Sequence, residues 1–229
     1  MSKSLVSCIL NCYDTQKWQR HMSMACVADI VRFTDCEYEI IIIDNDQTHR
    51  FRDDYGVLEG HYRIIENKKN RNVYASYNQG AKLAKGDKLI FIQNDIFVHE
   101  HTIDKLAVYL DNWDICYPQQ IELSRKQIKQ IYDTPDGELV DFGWRDAGLL
   151  AITREAFNKS GGWDGRFFNL LGEAAYYAKI DGAGLSWTDR TNAIVTHIKA
   201  ANNLSKLGDI YNEEMAHDAQ LMKDFYGGK

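Results

Sequence analysis

Two carboxylates stand where an apolar run stops, and that placement can do chemistry. Leu89-Ile90-Phe91-Ile92 gives way at once to Gln93-Asn94-Asp95, and Glu39-Ile-Ile-Ile-Ile ends in Asp44. Continuous apolar runs of this length read as strands buried on both faces, the pattern of central strands in a parallel sheet. In open α/β sheets, ligands bind just beyond the carboxyl ends of such strands. An Asp in that position can hold a hard divalent cation, which can in turn hold a diphosphate. Ionised groups are costly there without a cation or a donor as partner. Both Asn94-Asp95 and Asp44-Asn45-Asp46 are also good turn formers, so the residues alone leave a turn open beside a ligand site.

The elements that would position these carboxylates alternate between strand and helix signals. Leu5 to Leu10 reads as a short strand, followed by a polar turn from Asn11 to Thr15. Gln16 to Phe33 carries Trp18, Met22, Cys26 or Ala25, Ile30 and Phe33 at helical spacing. After the strand ending at Asp44 come a weaker strand at residues 62–65 and a helix over 73–85 closed by Gly86, a usual C-terminal stop. The strand ending at Asp95 is followed by a helix near 102–110 and a strand at 115–117. Repeated strand-helix-strand units imply a mainly parallel sheet with right-handed crossovers.

The second half is less regular. Residues 119–136 are polar and read as an insertion or mobile loop. A strand at 147–152 and a short helix at 154–159 precede Gly161-Gly162 and the aromatic group Trp163, Phe167 and Phe168. A helix at 172–180, strands at 185–187 and 193–196, and a polar helical tail from Asp209 complete the chain. One domain over 1–229 is the simplest count.

Composition narrows the class. The 229 residues carry a net charge of −6, unlike the basic surface of a dedicated nucleic-acid binder. Lys68, Lys69 and Arg71 read as a solvated loop. No apolar stretch approaches membrane-spanning length. The five cysteines are odd in number and form no CxxC pair, so free thiols in a reducing cytoplasm are expected. No GxGxxG follows the first strand and there is no GxxxxGK[ST], which disfavours dinucleotide dehydrogenases and P-loop enzymes.

Two long ordered segments, Glu39 to Thr48 (EIIIIDNDQT) and Asn70 to Asp95 (NRNVYASYNQGAKLAKGDKLIFIQND), carry a family resemblance. They resemble the nucleotide-sugar domain of family 2 glycosyltransferases with the GT-A fold, a Rossmann-like α/β/α sandwich. The resemblance implies that Asp44 contacts the nucleoside and that Gln93-Asn94-Asp95 occupies the DXD motif, with Gln93 departing from its acidic first position. It places Asn78, Lys85, Asn94 and Asp95 on the donor side. Phe157 to Lys179 (FNKSGGWDGRFFNLLGEAAYYAK) is similar to the family's Gly-Gly-aromatic-Asp segment and its acidic pair. Gly172 stands at the first acidic position and Glu173 at the second, where many inverting members hold the catalytic base. Position 174 is Ala174. His197 resembles a late histidine that completes the metal site in some GT-A enzymes, a partly buried structural histidine being the alternative. Asn202 and Ser205 fall where such enzymes have a mobile loop over the donor.

The implied division is a nucleotide-sugar half over about 1–117, an acceptor and catalytic half over about 118–200, and a C-terminal loop and helix. The implied reaction moves a sugar from a nucleotide diphosphate sugar, most often a UDP-sugar, to an acceptor hydroxyl with inversion. Mn2+ or Mg2+ would sit on Asp95 and His197, imidazole favouring Mn2+. Glu173 would be the general base, with favourable helix N-terminal charge as its alternative role. Trp144 and Trp163 are candidates to stack on a sugar and Asp164 to touch sugar or acceptor; core closure and a turn are the alternatives. A glycan, a protein side chain or a modified nucleic-acid base are all open as acceptor. The rival class is a catalytically silent GT-A-like module, motivated by Gln93 and Gly172.

Overall fold

The computed structural model describes residues 4–14, 17–46, 62–124, 148–168, 171–199 and 208–226. In chain order the elements are β1 (Val6–Cys12), α1 (Lys17–Phe33), β2 (Tyr38–Asp44), β3 (Tyr62–Glu66), α2 (Val73–Leu83), β4 (Lys88–Gln93), β5 (Ile96–Val98) and α3 (Thr102–Tyr109). They continue with β6 (Ile115–Cys116), β7 (Gln119–Ser124), β8 (Leu149–Thr153), α4 (Arg154–Ser160), α5 (Leu171–Gly182), β9 (Trp187–Thr188), β10 (Ile194–Lys199) and α6 (Gly208–Tyr226).

The larger sheet has the order β3-β2-β1-β4-β8-β6-β9. Its first four strands are mutually parallel, β8 is antiparallel to β4 and β6, and β6 runs parallel to β9. Ile40 to Ile43 and Leu89 to Ile92 are fully buried, which is why the runs carry no polar alternation. Each buried Ile or Leu side chain stabilises the fold by about 1.5–3 kcal/mol. Successive β1 side chains split between two cores. Cys8, Leu10 and Cys12 pack with Cys26, Val27 and Ile30 of α1 and Ile103 and Leu106 of α3. Ile9 packs on the other face with Tyr77 of α2, Phe157 of α4 and Tyr176 of α5. The result is the expected α/β/α sandwich with a mainly parallel central sheet.

Register brings the chemistry to one edge. Cys12 lies opposite Asp44, Asn11 opposite Gln93, and Asp44 opposite Glu66. Helix α2 lies so close to β1 that a Cβ at Gly80 would stand 2.3 Å from Ile9 Cγ2. Its last carbonyls are held by the Arg154 guanidinium, which donates to Ala81, Ala84 and Gly86, a cation at the negative end of the helix dipole.

Two strands depart from the sequence expectation. Residues 119–124, expected within an insertion or mobile loop, form β7, and Ile96–Val98 forms β5. Both pair with β10 in a second sheet of order β5-β10-β7. No apolar run marks β7 (QQIELS); it is its parallel pairing with β10 that makes it a strand. The helix expected over 73–85 stops at Leu83, because Ala84 is already extended at ψ 142. Residues 125–136 of the expected loop lie outside the described residues.

Candidate active site

At the carboxyl edge the strands continue into a layer of amides. Asn45 is fully buried; its Nδ2 donates to Asn11 Oδ1 (2.7 Å) and Ser76 Oγ (2.8 Å). Its Oδ1 accepts from Asn67 Nδ2 at 2.9 Å, and Asn67 exchanges two further bonds with Gln79. One side chain therefore ties β1, the β3 exit and α2 together, and buried amides so satisfied fix a single geometry. Beside it, Asp44 is buried and its Oδ1 accepts from the Asp46 N–H at 2.8 Å. The turn reading of Asp44-Asn45-Asp46 and the strand-end placement are thus realised in the same residue.

Asp14, which the sequence reading left inside a polar turn, is 0% exposed and joins this edge. Asn94 Nδ2 donates to its Oδ1 at 2.8 Å and to Ser23 Oγ at 3.0 Å. Asn94 thus braces the end of β4 against the end of β1. The missed signal is the one used for Asp44 and Asp95: a carboxylate just past a buried strand. Burial raises the Asp14 carboxyl to about 6, opposed by its hydrogen bonds with Ser23 and Asn94. The folded chain therefore holds this proton more tightly than the unfolded chain, whose ordinary value is 3.8. The ionised form weakens the fold, by nothing below 3.8 and by the full amount above about 6. Asp14→Asn is expected to raise the unfolding free energy by about 1–3 kcal/mol near pH 7.5 and by almost nothing near pH 4, measured by urea titration.

Asp95 sits in the turn from β4 to β5 and is 5% exposed. Its backbone oxygen accepts from Ile198 N at 3.0 Å, which aligns β10 beside it. His197 Nε2 lies 3.8 Å from Asp95 Oδ2, close enough for both atoms to reach one cation at bond lengths of about 2.1 Å. Asp95 Oδ1 is buried without a hydrogen-bond partner, an acceptor that a cation would satisfy. The residues therefore fit a hard divalent ion. Among the described residues no group of three or more His, Cys, Asp and Glu is arranged around one point, so other ligands would come from phosphate and water.

Glu173 stands in the first turn of α5, half-buried. Tyr77, a fully buried residue of α2, feels the charge of both Glu173 and Asp95. The Tyr77 phenol is pushed up first by burial and then by the nearby Glu173 and Asp95 carboxylates. Both carboxylates therefore lie within Coulombic range of one hydroxyl.

Other expected site residues are differently employed. Trp163 is 3% exposed, stacked on Tyr176 at 4.0 Å and edge-on to Phe91 at 5.6 Å. Its ring closes the core, which corrects the expected sugar-stacking role. Asn78 is corrected as a donor-binding residue: its Nδ2 donates to Trp163 O (2.8 Å) and its Oδ1 accepts from Trp163 N (3.0 Å). The whole amide pins the Gly-Gly-Trp segment to α2. Lys85 also departs from its expected donor-side place, because it precedes β4 and its N–H bonds Glu39 Oε1 near the start of β2. That is the amino edge of the sheet, about 16 Å of strand away from Gln93. Asp164 accepts from Arg166 and from the Tyr226 hydroxyl (2.9 Å), and the Arg166 bonds lead in holding its carboxyl down at about 2. Trp144, Asn202 and Ser205 lie outside the described residues.

Helix α6, expected as a polar helical tail, holds the 164–168 segment. Asp218, fully buried, accepts the Phe168 N–H with both oxygens at 3.0 and 3.2 Å. Tyr226 meets Phe167 at 5.9 Å and Arg166 lies 4.0 Å over the Phe225 ring.

Comparisons with known proteins bear on the family and the fold. The sequence model of the family described as Glycosyl transferase family 2 matches residues 21–168. The crystal structure of GalNAc-T7 with UDP, GalNAc and Mn2+ superposes with a TM-score of 0.67 at 17% identity, over 86% of this chain and 43% of that one. The crystal structure of S. aureus TarS 1-349 gives 0.64 at 11% identity, over 97% of this chain and 71% of that one. This chain thus spans less than half of the GalNAc-T7 structure, and at these identities both likenesses concern the fold. No curated protein gives a significant match.

Proposed function

The chain belongs to glycosyl transferase family 2 and has the GT-A fold, and we propose that it moves a hexosyl or pentosyl group from a nucleotide diphosphate sugar to an acceptor hydroxyl with inversion. The observation that carries this reading is Asp95 at the end of β4, its Oδ1 buried without a hydrogen-bond partner and its Oδ2 3.8 Å from His197 Nε2, with Glu173 in the first turn of α5 as a second carboxylate. The reaction needs charge neutralised on a leaving diphosphate and a proton removed from the acceptor, two tasks for two separated carboxylates.

In this reading residues 1–117 form the nucleotide-sugar half, with Asp44 and the amide layer around Asn45 as its nucleoside end. Asp95 and His197 would hold Mn2+ or Mg2+, which would supply Lewis-acid chemistry to the diphosphate. Asn94, braced by Asp14, keeps the Asp95 turn in place. Glu173 accepts the acceptor's proton as its oxygen attacks the anomeric carbon and the bond to the diphosphate breaks. Residues 118–200 and α6 frame the acceptor. UDP is the favoured nucleotide, a choice supported by the UDP of the GalNAc-T7 structure. No described helix is long and apolar enough to cross a membrane. The free cysteines, four of them buried, support a reducing cytoplasm.

A panel of UDP-, GDP- and dTDP-sugars, each with and without Mn2+, is expected to raise the thermal midpoint for at least one donor only with Mn2+. The same donor should then release nucleoside diphosphate on incubation. Saturable donor binding with no released diphosphate, with any acceptor supplied, would instead favour the silent binding module that Gln93 and Gly172 motivate.

A further inference from the structure

We propose that Tyr74 is a positioning residue for Glu173, and that Gly172 is required because the Tyr74 ring fills the space beneath it. The inference rests on the reading of Glu173 as base.

A Cβ built on Gly172 would stand 2.2 Å from Tyr74 Cε2 and 2.6 Å from Cδ2 and Cζ. No side chain fits there unless the ring moves, and the ring is not free to move. Tyr74 is buried against Trp163 at 5.4 Å, and Trp163 is itself stacked on Tyr176 of α5. The helix carrying Tyr74 is also fixed at its start. Asn72 caps it by accepting from Ala75 N at 2.9 Å, and its Nδ2 donates to Gly165 O at 3.1 Å.

The Tyr74 phenol lies against the start of α5: burial first and then the Glu173 carboxylate push it up, and the Glu173 backbone N–H acts on it in the opposite sense. The first N–H groups of a helix have no acceptor inside the helix; here a phenol from α2 serves one of them. Ring and hydroxyl act on adjacent residues. The ring under Gly172 sets how closely α5 approaches, and the bond at Glu173 sets the rotation of its first turn. The glycine at the first position of the acidic pair is thus a packing consequence of Tyr74, and the first position has exchanged a carboxylate for a phenol that aims the second.

Tyr74→Phe keeps the ring and removes the hydroxyl. Amide exchange at Glu173 is expected to quicken about five- to tenfold, the loss of one hydrogen bond, with amides of β4 unchanged. Turnover, followed as nucleoside diphosphate released from the UDP-, GDP- and dTDP-sugar panel with Mn2+, should fall by a similar factor while donor KM stays within about twofold. Gly172→Ala, which sets a methyl against the fixed ring and pushes the start of α5 away while keeping the hydroxyl, should lower kcat with the same unchanged donor KM. Wild-type kcat in Tyr74→Phe, unaltered exchange at Glu173, or a parallel loss of donor affinity each overturns the proposal. Glu173→Gln in the same series separates the two claims. If it is inactive while Tyr74→Phe is fully active, only the positioning role fails; if it is fully active, the base assignment fails. Should the wild type turn over no donor, the transferase reading fails and the exchange arm still decides the contact.

Discussion

Asp95→Ala is expected to abolish Mn2+-dependent donor binding without unfolding the chain. The side chain makes no hydrogen bond through Oδ1, and the link from Asp95 to β10 runs through its backbone oxygen, which alanine keeps. Removing a buried carboxylate that has Oδ1 without a hydrogen-bond partner and Oδ2 no nearer than 3.8 Å to His197 Nε2 also removes a desolvation cost, so the ligand-free midpoint should hold. Gln93 and Asn94 carry no charge, so nothing in the triplet replaces the lost anion. Loss of a coordinating carboxylate should weaken binding of UDP with Mn2+ by at least about a hundredfold, given that supporting partners alone are worth 10–100-fold. Isothermal titration of UDP with and without Mn2+ gives the measurement. His197→Ala should cost less, because a neutral ligand leaves the net charge at the site unchanged. Mn2+-dependent affinity in Asp95→Ala within about threefold of wild type would remove Asp95 from the metal site.

The part of this site written in sequence is the part that rests on parallel strands. Strands buried on both faces appear as unbroken apolar runs, so Ile40 to Ile43 and Leu89 to Ile92 announce both the strands and the residues that end them. Asp14 was hidden because β1 finishes as Asn11-Cys12 and Tyr13 follows, so polar and apolar residues mix and blur the strand end. Lys85 shows the opposite error. It lies ten residues before Asp95 in the chain, yet β4 runs between them and carries them to opposite edges of the sheet. Proximity in sequence becomes separation in space whenever a strand intervenes.

Trp163 and Asn78 failed for a different reason. An aromatic ring and an amide serve a core or a ligand equally well, and only their neighbours decide. Tyr176, Phe91 and the Trp163 backbone claim them here. The small sheet was illegible because β5 is three residues long and follows Asp95 directly, while β7 is polar. Helix α6 was visible as a polar helix, but its Asp218 could not be recognised as buried until its partner, the Phe168 N–H, was known. Tertiary hydrogen bonds of this kind leave no periodic trace.

Glu173→Gln is expected to keep donor binding and to reduce transfer by about 10²–10⁴-fold, the usual contribution of a positioned general base. The amide matches the carboxylate in size and remains in the first turn of α5, so the Gly172–Tyr74 packing is untouched. Its structural cost is the lost interaction of a negative charge with the helix N-terminus, about 0.3–1 kcal/mol. That loss lowers the thermal midpoint slightly and cannot account for a hundredfold drop in rate. A kcat that collapses while donor KM holds would mark an interaction made in the chemical step. Glu173→Asp retains a base but withdraws it by one methylene, and misplacement by about an ångström can cost about a hundredfold. Its activity should therefore fall between those of Glu173→Gln and wild type. Full turnover in Glu173→Gln would leave α5 with a helix-stabilising charge and no base. The contrast with Asp95→Ala then carries the mechanism, because one variant stops at donor binding and the other binds the donor and stops at proton removal.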